Sequence, residues 1–259
     1  MPTPLLNDLM VILVEPQSPG NIGMVCRAMA NFGCSRLRLV NPCQHLHSEA
    51  RKFAVSASEL LGQAEIYPDL ASALADRQCA IAATRRAGKL RGELIDLTEL
   101  PPQLASYAEG SRIGLVFGRE DSGLTTDEVA LCSHAVSITT AAYGSLNLAQ
   151  AVIVFLYELS RPQPQQQPSA SPTRPNQLPL GELEPLFAQM QATLERIAFL
   201  NPSAPAGVMN SLRRVLQRAN LDPRELELLR GMWSQIDWSA RDWQGRKRST
   251  TEKSEAKGD

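Results

Sequence analysis

Leu115-Val116-Phe117-Gly118-Arg119-Glu120-Asp121-Ser122-Gly123-Leu124 joins the end of an apolar strand to a loop in which two glycines bracket three charged residues. A strand that stops this way presents backbone N–H groups and ionic side chains at the carboxyl edge of a sheet, where open α/β sheets hold their ligands. Two further apolar runs end alike. Val11-Ile12-Leu13-Val14 runs into Pro19-Gly20-Asn21-Ile22-Gly23, and Val136-Ser137-Ile138 runs into Tyr143-Gly144-Ser145-Leu146-Asn147-Leu148.

Outward from these runs, apolar strands and helical stretches alternate. Strands are expected at 10–15, 37–40, 65–67, 80–84, 113–117 and 135–138, and helices at 21–32, 48–61, 70–75, 126–131 and 146–159, with a helical or irregular stretch up to 108. Near-continuous apolar strands such as Ile113-Gly114-Leu115-Val116-Phe117 imply burial on both faces, as in a parallel sheet covered by helices. The fold class is therefore α/β, with this domain spanning residues 1–161.

Residues 161–179 contain six prolines and five glutamines without an apolar period, so 162–179 reads as an extended linker. Leu183, Leu186, Phe187, Met190, Leu194 and Ile197 then fall at helical spacing, and further helices are expected at 208–218 and 224–236. A small all-α module at 180–243 follows, with a polar, disordered tail at 244–259. Residues 1–161 are long enough to hold a core of their own.

The 259 residues carry a formal net charge of -1, so no global basicity advertises nucleic acid, and any RNA contact has to rest on local patches. No uncharged run approaches the roughly 20 residues of a membrane span, and the first residues do not read as a signal peptide. A cytoplasmic protein is expected. The five cysteines include no C-x-x-C pair and read as buried free thiols. His45 and His47 read as surface loop residues, and no metal site is expected. Neither the open-sheet Gly-x-Gly-x-x-Gly fingerprint nor a Walker A sequence is present.

Three segments taken together, Pro19-Gly20-Asn21-Ile22-Gly23 with Arg27, Val116-Phe117-Gly118-Arg119-Glu120 with Gly123-Leu124, and Ser145-Leu146-Asn147-Leu148-Ala149, resemble the ordered motifs of the SPOUT superfamily of RNA methyltransferases. The resemblance is to the TrmH-like branch, and within it to TrmJ-type tRNA 2′-O-methyltransferases. It covers most of the first domain, and the linker with its helical module also resembles the TrmJ arrangement.

The resemblance implies a parallel sheet with a C-terminal trefoil knot, an exception to ordinary chain topology, and S-adenosylmethionine bound within it. By position, Ala83, Thr84, Arg85, Gly118, Ile138, Gly144, Ser145 and Leu146 would line that pocket. Glycines let backbone approach a carboxylate closely, and Ile138 and Leu146 offer apolar cover to an adenine. The same residues would also suit ordinary βα turns.

Five residues match the family's catalytic motifs: Asn21, Arg27, Glu120, Ser145 and Asn147. A guanidinium is a poor general base, so Arg27 is expected to clamp an RNA phosphate and stabilise a developing 2′-alkoxide; its alternative is a solvated surface arginine. Asn21 would hold Arg27 or the ribose. Glu120 would orient the nucleotide or form a loop-fixing ion pair with Arg119. Ser145 and Asn147 can also cap the final helix.

Arg85, Arg86, Lys89 and Arg91 put four positive charges into seven residues after a cofactor-lining strand, and Arg213 and Arg214 belong to a second basic patch. Arg119 joins them as an expected RNA contact. Tyr143 would contact the target nucleoside or pack the knot. The expected activity is S-adenosylmethionine-dependent 2′-O-methylation of cytidine or uridine at position 32 of the tRNA anticodon loop by a homodimer that engages neither DNA nor membrane. Methylation of ribosomal RNA and a catalytically inactive RNA-binding protein are the alternatives.

Overall fold

A computed structural model of the chain describes residues 9–86, 94–104, 107, 110–141, 144–161, 177–201 and 205–241. Among the described residues seven strands form one sheet: β1 (Leu9–Val14), β2 (Arg36–Val40), β3 (Glu65–Tyr67), β4 (Cys79–Ala83), β5 (Leu94–Asp96), β6 (Ile113–Phe117) and β7 (His134–Ser137). Their order across the sheet is β3-β2-β1-β6-β4-β7-β5, and every pairing is parallel. All carboxyl ends thus share one edge. β1 and β6 are buried along their whole length, as the unbroken apolar runs require.

Helices cover both faces. On one lie α1 (Pro19–Phe32), α2 (Ser48–Ala54), α3 (Ser58–Gln63), α5 (Leu100–Leu104) and α7 (Leu148–Ser160), sharing a core built on Leu13, Ile22, Met29, Ile81, Phe117 and Phe155. On the other lie α4 (Leu70–Leu74) and α6 (Thr126–Ala130), closing over Ile12, Ala80 and Val116. Among the described residues no helix is long and apolar enough to cross a membrane.

Three sequence expectations are revised. Pro19-Gly20, read as a loop, is the first turn of α1: Ser18 Oγ accepts from Asn21 N–H (3.3 Å) and Pro19 stands where a missing N–H costs no bond. Gly23 is a packing glycine, since a Cβ there would lie 2.2 Å from the Ala50 carbonyl oxygen of α2. The helix expected at 48–61 breaks at Val55, whose φ of 54° is foreign to a helix. That break leaves Ala50, Ala54, Ala57 and Leu61 all in the core beside α1. The third is β5, a three-residue, half-buried strand too short to carry an alternating signal.

The helical module comprises α8 (Glu184–Arg196), α9 (Ala206–Arg218) and α10 (Pro223–Ser239) around Leu186, Phe187, Met190 and Leu194. It is docked on the first unit. Leu180 N–H donates to Arg77 O (2.7 Å), Gly181 N–H to Ala75 O (3.0 Å), and Gln78 Nε2 to Gln177 O (2.9 Å). Leu180 enters the core that α4 covers, so residues 177–181, part of which reads as linker, form a strap. A Cβ on Gly181 would come 2.8 Å from the Ala75 carbonyl oxygen and 3.1 Å from its Cα. Gly181→Val is therefore expected to lift the strap and destabilise the chain by about 1–3 kcal/mol, lowering the melting temperature by roughly 2–12 °C. Calorimetry checks this, together with faster hydrogen exchange at the Leu180 and Gly181 amides.

Candidate active site at the carboxyl edge of the sheet

The loops after β4, β6 and β7 line a cleft of about 160 Å³ at one edge, and the loop after β1 adjoins it through the Glu120 carboxylate. Ala83, Thr84, Arg85, Gly118, Ile138, Gly144, Ser145 and Leu146, the eight residues placed at a pocket by sequence, all line it. Phe117, Val136, Leu148, Ala151 and Phe155 complete its apolar wall, and the rings of Phe117 and Phe155 meet edge to face at 5.2 Å. None of these five was named from the sequence as a residue of the pocket. The signal was available in α7, where Leu148, Ala151 and Phe155 fall on one helical face.

The loop after β6 folds tightly on itself. Gly123 N–H donates to Arg119 O (2.9 Å), and Gly123 sits at φ 67°, where glycine carries no steric penalty. Arg119 is not turned toward solvent. Its Nε donates to Glu15 (2.8 Å), and its two terminal nitrogens donate to Glu128, each at 3.0 Å. Glu128 in turn closes the capping box of α6 with Thr125. Hydrogen bonding with Arg119 holds the Glu15 carboxyl below its ordinary range. Arg119, expected to meet RNA, thus fastens the cleft loop to β1 and α6.

Glu120 does not form the expected ion pair with Arg119, because successive loop residues face opposite ways. Its carboxylate sits at the start of α1, accepting from Gln17 N–H (2.9 Å), Ser18 N–H (3.1 Å) and Asn21 Nδ2 (2.8 Å), where the helix dipole favours an anion. Asn21, 8% exposed, accepts through Oδ1 from Asn147 Nδ2 (2.9 Å). Asn147 Oδ1 accepts from Ala149 N–H (2.9 Å) as the N-cap of α7. A carboxylate only accepts and a backbone N–H only donates, so the two ends of this chain fix both amide orientations. Asn21→Asp would set a second carboxylate against Glu120. Its expected cost is about 1–3 kcal/mol, read as a lower midpoint in urea unfolding at pH 7.

Arg27 lies exposed on α1, outside the cleft lining, with no hydrogen bond or ion pair among the described residues. Arg85 and Arg86 line the cleft at the end of β4; Lys89, Arg91 and Tyr143 lie outside the described residues. Arg213 is committed elsewhere. It pairs with both carboxylate oxygens of Glu184, and its guanidinium stands 4.4 Å from the centroid of the Phe187 ring, fastening α9 to α8. Arg214 donates to Ser211 Oγ (3.3 Å) and borders a separate cavity.

The five cysteines are free, and burial raises the Cys26 thiol to about 12 and that of Cys79 to about 11. His47, read as a loop residue, caps α2 by accepting from Glu49 N–H at Nδ1 (3.2 Å). No group of three or more His, Cys, Asp or Glu among the described residues could hold a metal ion.

The first unit matches the SpoU rRNA Methylase family over residues 8–157, and residues 181–249 match the C-terminal domain of the tRNA methyltransferase TrmJ. The tRNA (cytidine/uridine-2′-O-)-methyltransferase TrmJ of Klebsiella pneumoniae is 37% identical over 240 residues, covering 90% of this chain and 98% of that protein. The corresponding protein of Pectobacterium atrosepticum is 34% identical over 241 residues, with 90% and 98% covered. Among solved structures, TrmJ from Z. mobilis ZM4 superimposes with a TM-score of 0.74 at 31% identity, covering 88% of this chain and 98% of that one. A methylase family protein from Neisseria gonorrhoeae gives 0.60 at 31% identity over 71% and 95%. With its motif loops joined around one cleft and both units matched, the chain belongs to the SpoU rRNA Methylase family, in the TrmJ-type branch of methyltransferases.

Proposed function

We propose that the chain transfers a methyl group from S-adenosylmethionine to the ribose 2′-oxygen of cytidine or uridine at position 32 of the tRNA anticodon loop. The observation that carries this reading is the hydrogen-bonded run Glu120–Asn21–Asn147, which ties three separate motif loops together beside one lined cleft. The lining fits the methyl donor. Phe117, Val136, Ile138, Leu146 and Phe155 offer apolar surface for an adenine, while the backbone at Gly118 and Gly144 and the Arg85 guanidinium offer partners for a carboxylate. When bound, the donor supplies an electrophilic methyl on a sulfonium.

Arg27 clamps the RNA phosphate and stabilises charge developing on the 2′-oxygen. Ser145, exposed at the rim, reaches the ribose, and Asn21 and Glu120 hold the loops in register. Catalysis then rests on alignment and electrostatics. The Pro/Gln-rich segment joins a methyltransferase unit of residues 1–161 to a tRNA-holding module, and the trefoil knot implied by the family resemblance surrounds the cleft.

The enzyme works as a homodimer in the cytoplasm, where tRNA is found. Exposed Ile153 and Tyr157 on α7, with Phe32 edge to face on Tyr157 at 6.5 Å, form an apolar face for a second copy to cover. The test is methyl transfer from labelled donor to total tRNA and to ribosomal RNA, followed by mapping of the modified ribose. Label confined to ribosomal RNA would overturn the substrate, and donor binding without transfer would overturn the activity.

A further inference from the structure

A second cavity lies away from the cleft, where α9 of the helical module crosses the edge of the sheet formed by β7 and β5. It measures about 340 Å³, and its polar lining includes Glu99, Ser133 and His134 from the first unit and Ser211, Arg214 and Arg218 from α9. Arg214 and Arg218 are one helical turn apart and so share a face of α9. Their placement is fixed locally: Arg218 Nε donates to Arg214 O (3.2 Å), and Arg214 Nη2 donates to Ser211 Oγ (3.3 Å).

Positive charge is concentrated here. Burial and then the neighbouring Arg218 charge lower the pKa of Arg214, and the same two causes in the same order push His134 down to about 4. Among the described residues of the lining, Glu99 is the one acidic side chain. An anion entering beside Arg214 and Arg218 would offset their mutual repulsion, with the neutral His134 imidazole alongside, and a guanidinium fork matches the geometry of a phosphate. The cavity also shares a strand with the cleft. His134 opens β7, while Ile138, which lines the cleft, directly follows its end. Four residues of extended chain span roughly 13 Å, so an RNA held at the cleft has backbone within reach of α9.

We propose that this seam cavity binds a phosphate group through Arg214, Arg218 and His134, and that in the working enzyme the phosphate belongs to the RNA backbone. The RNA half of the proposal rests on the function proposed above; the phosphate half stands alone. Occupancy would bridge the module to the sheet, making module docking and RNA affinity depend on each other.

The test uses the full chain, whose three histidines make the imidazole NMR spectrum readable. Inorganic phosphate is expected to move the His134 resonance, leave His45 and His47 in place, and raise the His134 pKa. Arg218→Gln should abolish that response and Arg218→Lys restore part of it. Arg218→Gln should also weaken tRNA binding about 5- to 20-fold at low salt and reduce the salt dependence by about one phosphate contact, with donor affinity unchanged.

A His134 resonance indifferent to phosphate in the wild-type chain would overturn the site. A phosphate response with wild-type tRNA affinity in Arg218→Gln would overturn the RNA assignment and leave a free-anion site. If the wild-type chain fails to methylate tRNA while phosphate still moves His134, the proposed function and the RNA half fall together, and the phosphate site stands.

Discussion

Arg27→Ala is expected to lower single-turnover methyl transfer to tRNA at saturating donor by at least about 10²-fold, the usual effect of losing one transition-state electrostatic donor. Melting temperature and donor affinity should stay at wild-type values. The side chain is exposed, lies outside the cleft lining, and has no hydrogen bond or ion pair among the described residues. Its removal therefore costs the folded chain little. A surface arginine of no chemical consequence would change stability and rate by no more than about 1 kcal/mol. Arg27→Lys separates the readings further, because a point-charge ammonium does not restore a bidentate phosphate clamp and should leave the enzyme impaired. A near-normal rate in Arg27→Ala would remove this residue from the mechanism.

Gly118→Ala is expected to abolish donor binding. A Cβ there would sit 2.3 Å from the Gly123 carbonyl carbon and 2.4 Å from the Leu124 nitrogen, both backbone atoms that no rotamer change can move aside. The loop must open, breaking the Gly123 N–H to Arg119 O bond and shifting the cleft wall. The accompanying loss of stability should be about 1–3 kcal/mol. Gly144 differs, since the nearest atoms a Cβ there would meet among the described residues belong to side chains, Thr140 Oγ1 at 3.1 Å and Arg85 Nη1 at 3.6 Å. Gly144→Ala should consequently bind the donor more weakly than wild type without losing it. Calorimetric titration of both variants checks the order, and wild-type affinity in Gly118→Ala would mean that the loop is not a cleft wall.

Both predictions concern motif residues, yet the sequence did not distinguish their circumstances. Gly118 and Gly144 read alike, as glycines after strands, and only the neighbouring backbone separates a position that tolerates no Cβ from one with room. Glu120 and Arg119 read as partners because they are adjacent and oppositely charged. The tight loop sends one to the start of α1 and the other to Glu15 and Glu128. Arg213 and Arg214 read as one patch because they are adjacent and both positive, although helical geometry turns Arg213 onto Glu184 and Phe187 and Arg214 toward the seam cavity.

The alternation of strand and helix, the parallel character of the sheet and the glycine-marked strand ends that meet at the cleft were legible in the residues alone. These follow from local apolar periodicity and from glycine-marked strand exits, which depend on near neighbours along the chain. Only the tertiary structure decided that Asn21 links Glu120 to Asn147, with sequence separations of 99 and 126 residues, that Leu180 straps the module to the first unit, and that α9 closes a cationic cavity over His134. Such partners are chosen by which backbone groups and side chains converge once the sheet is assembled, and residue type alone specifies a capacity to donate or accept without naming the recipient.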